Sequence, residues 1–135
     1  MSVLAGCSGE NVREPETPAQ ASIEQPSPEE TVSIDQIAQG FVKLALGAGQ
    51  HDPNFVDAYD GPPEWQAEAV AQKRSLEDLE TDALGLQERL AGLGEPDARA
   101  LMLQKQLMAA LTRIRMARGE TYSFDEETKL LYDAV

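Results

Sequence analysis

The chain has 135 residues, a net charge of −13 and an isoelectric point near 4.3. That length fits one domain, and the eleven bases form no stripe, which excludes a phosphate-binding, nucleic-acid role. Its single cysteine, Cys7, excludes an internal disulfide, and its single histidine, His51, excludes the paired histidines of an HExxH motif. Together they fall short of the ligand set of a zinc site, so no metal or cofactor is expected. No apolar run approaches the roughly 20 residues of a membrane-spanning helix.

Leu4-Ala5-Gly6-Cys7 resembles the bacterial lipobox, the recognition site of the lipoprotein signal peptidase. The resemblance implies diacylglycerol on the Cys7 thiol and a chain anchored to the bacterial cell envelope. Burying acyl chains contributes about 0.8 kcal/mol per CH₂, and a stable hold takes more than one chain. Only Met1-Ser2-Val3 precede the box, whereas a signal peptide needs an apolar region of roughly 7–15 residues. Either the natural start lies upstream, or the chain is truncated, or the match is accidental; if the start is the real one, a cytoplasmic protein is expected.

Residues 1–32 carry six acids and one base, and residues 8–30 hold Pro15, Pro18, Pro26 and Pro28, half of all the prolines. So little apolar material cannot offset a chain entropy of about 1–2 kcal/mol per residue. A disordered tether is expected over 1–32, ahead of an all-α domain over 33–135.

Ser33-Ile34-Asp35-Gln36 reads as a capping box. Behind it Ile34, Ile37, Ala38, Phe41, Val42, Leu44, Ala45 and Ala48 share one face of a helix, and Gly47 and Gly49 favour its end. His51 to Trp65 then carries three of the seven aromatics: Phe55, Tyr59 and Trp65. Asp52-Pro53 can start a short helical turn, Asp60-Gly61-Pro62-Pro63 breaks it, and Pro63 opens the next helix. Two readings stand for this stretch. It is an aromatic-stapled corner, or Asp57, Tyr59, Asp60 and Trp65 line a ligand cleft. His51 is expected to hydrogen-bond at the corner.

Ser75 starts a helix whose Leu76, Leu79, Ala83, Leu86 and Leu90 form a narrow seam. Gly85 costs that helix about 1 kcal/mol relative to alanine unless close packing needs it. After Gly92 and Gly94, Glu95 or Asp97 opens a helix running to about Arg118, with Gly119 as its left-handed cap. Its apolar arc, Ala100, Leu101, Leu103, Leu107, Met108, Ala110, Leu111, Ile114 and Ala117, is wide enough to touch two or more neighbours. Gln104 lies inside the arc and is expected to bond a neighbouring helix. Arg113, Arg115 and Arg118 suit the negative end of the helix dipole and are read as a solvated face. The short link over 92–95 makes the two helices an antiparallel hairpin. Ser123 to Glu126 is a further capping box, opening a helix with Phe124, Thr128, Leu131 and Val135 on one side.

HDPNFVDAYDGPPEW, the helix over Leu103–Arg118 and the stretch GETYSFDEE from Gly119 to Glu127 together resemble the N-terminal helical region of a group of bacterial proteins of largely uncharacterised function. Many of those resemble helical HExxH zinc metallopeptidases. The resemblance covers about residues 33–135. It implies N-terminal helices that wall a substrate cleft, and a chain that is the front part of something longer. Metal ligands and a catalytic glutamate do not carry over, because this chain lacks the motif. Three functions therefore compete: a lipid-tethered helical scaffold or binding region, the non-catalytic fragment of a metallopeptidase-like enzyme, and a self-associating helical protein. Self-association, or a helical partner, follows if the apolar faces exceed what about 100 ordered residues can cover.

Overall fold

The computed structural model of the protein describes residues 32–134, which hold five α-helices and no strand. Helix α1 spans Ile34–Ala48, α2 Pro63–Gln72, α3 Leu76–Ala91, α4 Ala98–Ala117 and α5 Phe124–Tyr132. The lipobox-like Leu4–Cys7 and the expected tether up to residue 31 lie outside the described residues.

Four of the five helices start where a side chain satisfies a free amide. The Ser33 hydroxyl accepts from the Gln36 amide at 3.3 Å, and the Ser33 amide donates back to Gln36 Oε1 at 2.8 Å. The same reciprocal box joins Ser123 and Glu126. Ser75 caps α3 through the Asp78 amide. For α4 the cap is Asp97 rather than Glu95, its carboxylate accepting from the Ala100 amide at 2.8 Å. Helix α2 opens on Pro63, whose missing N–H costs nothing in the first turn. It stops at Lys73, a non-glycine residue in the left-handed region at φ 43°.

Helices α1, α3 and α4 share one core, with Ile37, Leu44, Leu79, Leu107 and Ile114 fully buried. Arg99 pairs with Asp35 at the start of α1 and Arg113 with Asp52 just past its end, so α1 and α4 run parallel. Glu77 and Glu80 at the start of α3 meet Arg115 and Arg118 at the end of α4, which makes that pair the expected antiparallel hairpin. Helix α2 packs on α1, and α5 on α4.

The α1–α3 contact depends on two glycines one heptad apart. A Cβ at Gly40 would stand 2.7 Å from Leu86 Cδ2, and one at Gly47 would stand 2.8 Å from Leu79 Cδ2. The helix ends at Ala48 with Gly49 as its C-cap, as the glycine pair suggests, but Gly47 itself is still helical. It is buried one residue inside the helix and lets a leucine of α3 approach the backbone.

Gly85 is different: a Cβ there meets nothing within 4 Å. It carries the helix penalty with no packing in return. Gly85→Ala is expected to raise the stability by about 0.5–1 kcal/mol. Thermal melting of the variant checks this, and a lowered midpoint counts against it.

The buried stripe of α4 is narrower than its sequence suggests. Leu101 and Met108 are 44% and 39% exposed, while the helix still touches α1, α3 and α5. Gln104 is exposed and does not bridge helices. Among the described residues the buried polar one is Thr112, whose hydroxyl donates to the Met108 carbonyl four residues back at 2.8 Å. On α5, Leu130 and Leu131 are half-buried but Phe124 is 83% exposed, so the first residue of that helix does not dock.

Candidate functional site

Between α1 and the start of α2 the chain forms no regular helix but makes the expected short turn at Asp52-Pro53, with Asp52 as its cap. The Asp52 carboxylate accepts from the Asn54 amide at 2.9 Å, and the Phe55 amide donates to the Asp52 carbonyl at 3.0 Å. The side-chain bond caps the turn and the backbone bond closes it, with Pro53 at its first position. The chain then runs through Asp57 to Pro62 without regular structure.

The three aromatics of this stretch take three different places. Phe55 packs against the core beneath Arg113, whose guanidinium carbon lies 4.3 Å from the ring centroid. Tyr59 folds over Gly61, where a Cβ would fall 2.5 Å from its ring, and its hydroxyl donates to the Pro62 carbonyl at 3.0 Å. Trp65 lies on α2, with Lys43 Nζ of α1 at 5.6 Å from its ring centroid. His51 closes the corner from the other side, its Nε2 donating to the Arg74 carbonyl at 2.6 Å.

Asp57, Tyr59, Asp60 and Trp65 therefore do not converge. Asp57 and Tyr59 line a 200 Å³ recess beside the end of α1, with Pro53 and Gln66. Trp65 belongs to another and larger cavity, and Asp60 is exposed and borders neither.

That larger cavity is a 410 Å³ groove walled by α1, α2 and α3. Gly40, Gly47 and Leu44 contribute from α1, Trp65 and Ala69 from α2, and Gly85 and Leu86 from α3. Its rim is charged. Lys43 pairs with Glu68 at 2.9 Å, Arg74 pairs with Asp82, and Arg89 lies at the end of the α3 side. Lys43 holds the Glu68 carboxyl below its ordinary range, and Asp82 raises the already basic Arg74. Burial, followed by the negative charge of Glu64, pushes the Tyr59 phenol up at the neighbouring corner. Of the residues lining this groove, only Trp65 stands out in the sequence as a candidate. The groove's signal was present in Thr81, Gly85 and Arg89, which recur every four residues and share one face of α3.

The arginines at the end of α4 are cross-links rather than a solvated face. Arg113 donates to the Asp52 carboxylate at 2.7 Å and to the Asn54 carbonyl at 3.1 Å. Arg115 and Arg118 both donate to Glu80, whose side chain is only 14% exposed. Arg115 first and then Arg118 hold the Glu80 carboxyl below its ordinary range. The Asn54 amide first and then Arg113 do the same for Asp52. Among the described residues no group of three or more His, Cys, Asp or Glu side chains could hold a metal ion. No helix among them is long and apolar enough to cross a membrane.

These depressed carboxyls give stability a defined pH sign. Each binds fewer protons folded than unfolded near its own titration. Its stabilisation is complete above the ordinary carboxylate value and is lost as pH falls through the depressed one. Acid should therefore weaken the fold, and Glu80→Gln should flatten that response. Repulsion among the many other acids is common to both proteins, so the difference between their melting curves from about pH 6 to pH 3 isolates Glu80. Parallel curves would count against its role.

The fold defines an all-helical domain with a three-helix core and two flanking helices. No family model, no curated protein and no solved structure matches the chain.

Proposed function

We propose that residues 33–135 are a non-catalytic helical scaffold or binding region of a bacterial lipoprotein, held at the cell envelope through Cys7. The observation that carries the binding reading is the Trp65-walled groove between three helices. Rigidity supports it as well: ion pairs join α1 to α2, α3 to α4, and the loop after α1 to α4. A preformed concave surface spends little free energy on ordering when it binds.

The tether is supported by Leu4-Ala5-Gly6-Cys7 and the Pro- and Glu-rich residues behind it. The test is expression from the natural gene with its own upstream sequence, followed by detergent phase partition. Wild type should enter the detergent phase, and Cys7→Ser should move to the aqueous phase. Equal partition of both proteins would remove the anchor from this reading.

A second reading, self-association, is favoured by exposed apolar residues on α4 and α5. Met102, Phe124 and Tyr132 are 62%, 83% and 76% exposed, and Met108 and Tyr132 line a 440 Å³ groove between α4 and α5. Sedimentation over a wide concentration range separates a monomer from a dimer. The fragment reading, a metallopeptidase-like enzyme whose catalytic part is elsewhere, rests on the resemblance alone. An in-frame HExxH in the DNA beyond Val135 would favour it.

A further inference from the structure

We propose that the groove walled by α1, α2 and α3 binds a small amphipathic monocarboxylate, with Arg89 holding the carboxylate and Trp65 flanking the apolar body. This rests on the binding-region reading above and names the class of ligand for it.

Size comes first. The groove measures 410 Å³, within the roughly 300–1,000 Å³ of small-molecule sites. Its base is apolar: Leu44, Leu86 and the backbone at Gly40, Gly47 and Gly85. Gly40 and Gly47 are accounted for by the leucine methyls pressed against them. Gly85 has no such neighbour, although it sits in mid-helix and faces the groove. A side chain there would fill the groove floor and disturb nothing else. Glycine at this position therefore serves the groove and not the packing.

The charge balance then selects the ligand. Lys43 and Arg74 are each neutralised by a partner, Glu68 and Asp82. Arg89 forms no ion pair among the described residues, and it lies one turn beyond Gly85 on the same face of α3. The lining thus carries one uncompensated positive charge in a chain whose net charge is −13. A guanidinium offers two parallel N–H donors that match a planar carboxylate. The nearby Glu68 and Asp82 carboxylates disfavour a ligand of higher negative charge, such as a phosphate. Gln72 donates one amide N–H to Glu68 and keeps a second for a ligand, the Thr81 hydroxyl is spent on the Glu77 carbonyl, and the Trp65 indole gives the apolar body a flat surface.

Trp65 is the only tryptophan in the chain, so its fluorescence reports on this groove directly. The full chain is titrated with 3-phenylpropanoate, hexanoate, 3-phenylpropanamide, phenethylamine and inorganic phosphate. Both carboxylates should give a saturable change in emission, with the amide weaker by about tenfold, as expected for loss of a charge-assisted hydrogen bond. Arg89→Gln should lose about tenfold toward the carboxylates and leave the amide unchanged. Arg89 is exposed, so this variant should fold, and circular dichroism verifies that. Gly85→Leu should weaken carboxylates and amide together. The proposal is overturned if neither carboxylate saturates at millimolar concentration, if phosphate or the amine binds more tightly, or if Arg89→Gln binds as wild type does. Absent carboxylate binding with a Cys7-dependent partition overturns this site and leaves the tethered scaffold standing. Carboxylate binding without Cys7-dependent partition keeps the site and removes only the anchor.

Discussion

Leu79→Ala is expected to lower the stability of the domain by roughly 3–4 kcal/mol, toward the upper part of the range for buried leucines. Leu79 has no exposed surface, and its Cδ2 lies against the α1 backbone at Gly47. A cavity closes cheaply when flexible side chains can swing into it. Here the facing wall is helical backbone, so much of the cavity persists. Gly47→Ala alone places a methyl 2.8 Å from Leu79 Cδ2. That overpacking costs on the order of 1–3 kcal/mol, offset by about 1 kcal/mol of helix propensity. In the double variant the new methyl enters the space that Leu79 has left. The double variant should therefore be more stable than the sum of the two single changes predicts, by at least about 0.5–1 kcal/mol. Urea denaturation of the four proteins measures this coupling. Strict additivity would show that Gly47 and Leu79 do not share that volume.

The same contact shows what could be read from the sequence and what could not. Ser33-Ile34-Asp35-Gln36, Ser75 and Ser123 to Glu126 were legible because capping is local: donor and acceptor lie three residues apart. The leucine seam of α3 was legible for the same reason, since Leu79, Ala83, Leu86 and Leu90 are all buried. The packing role of Gly47 was not legible because its reason lies in α3, about thirty residues further on. A glycine near a helix end carries the same local signal whether it terminates the helix or admits a neighbour. Arg113, Arg115 and Arg118 were misread likewise: their partners Asp52 and Glu80 are distant in sequence, and charge pattern alone does not choose between solvent and an ion pair. The groove combines both difficulties. Its walls come from three helices, and only Trp65 stood out as an unusual residue.

Arg113→Ala is expected to cost about 2 kcal/mol, more than an ordinary surface ion pair contributes. The guanidinium makes three contacts at once, to the Asp52 carboxylate at 2.7 Å, the Asn54 carbonyl at 3.1 Å and the Phe55 ring at 4.3 Å. Only the first of these titrates. The Asp52 carboxyl is held below its ordinary range by the Asn54 amide and then by Arg113. Its contribution is thus complete above the ordinary carboxylate value and disappears as pH falls through the depressed one. The penalty of Arg113→Ala should shrink in acid without vanishing, because the ring and carbonyl contacts survive protonation. Arg113→Lys should restore the charge but less than half of the lost stability, since an ammonium lacks the flat fork that reaches two oxygens while lying over a ring. Melting of the three proteins at neutral and acid pH separates these terms, and a lysine variant as stable as wild type would reduce Arg113 to a point charge. The clasp also has a consequence for the groove. It fixes the turn after α1, whose His51 holds the Arg74 carbonyl, and Arg74 with its partner Asp82 forms part of the groove rim. Loosening Arg113 should therefore change Trp65 emission in the folded protein although the two side chains line no common cavity, whereas Lys105→Ala, which breaks only the Lys105–Asp133 pair between α4 and α5, should leave that emission unchanged.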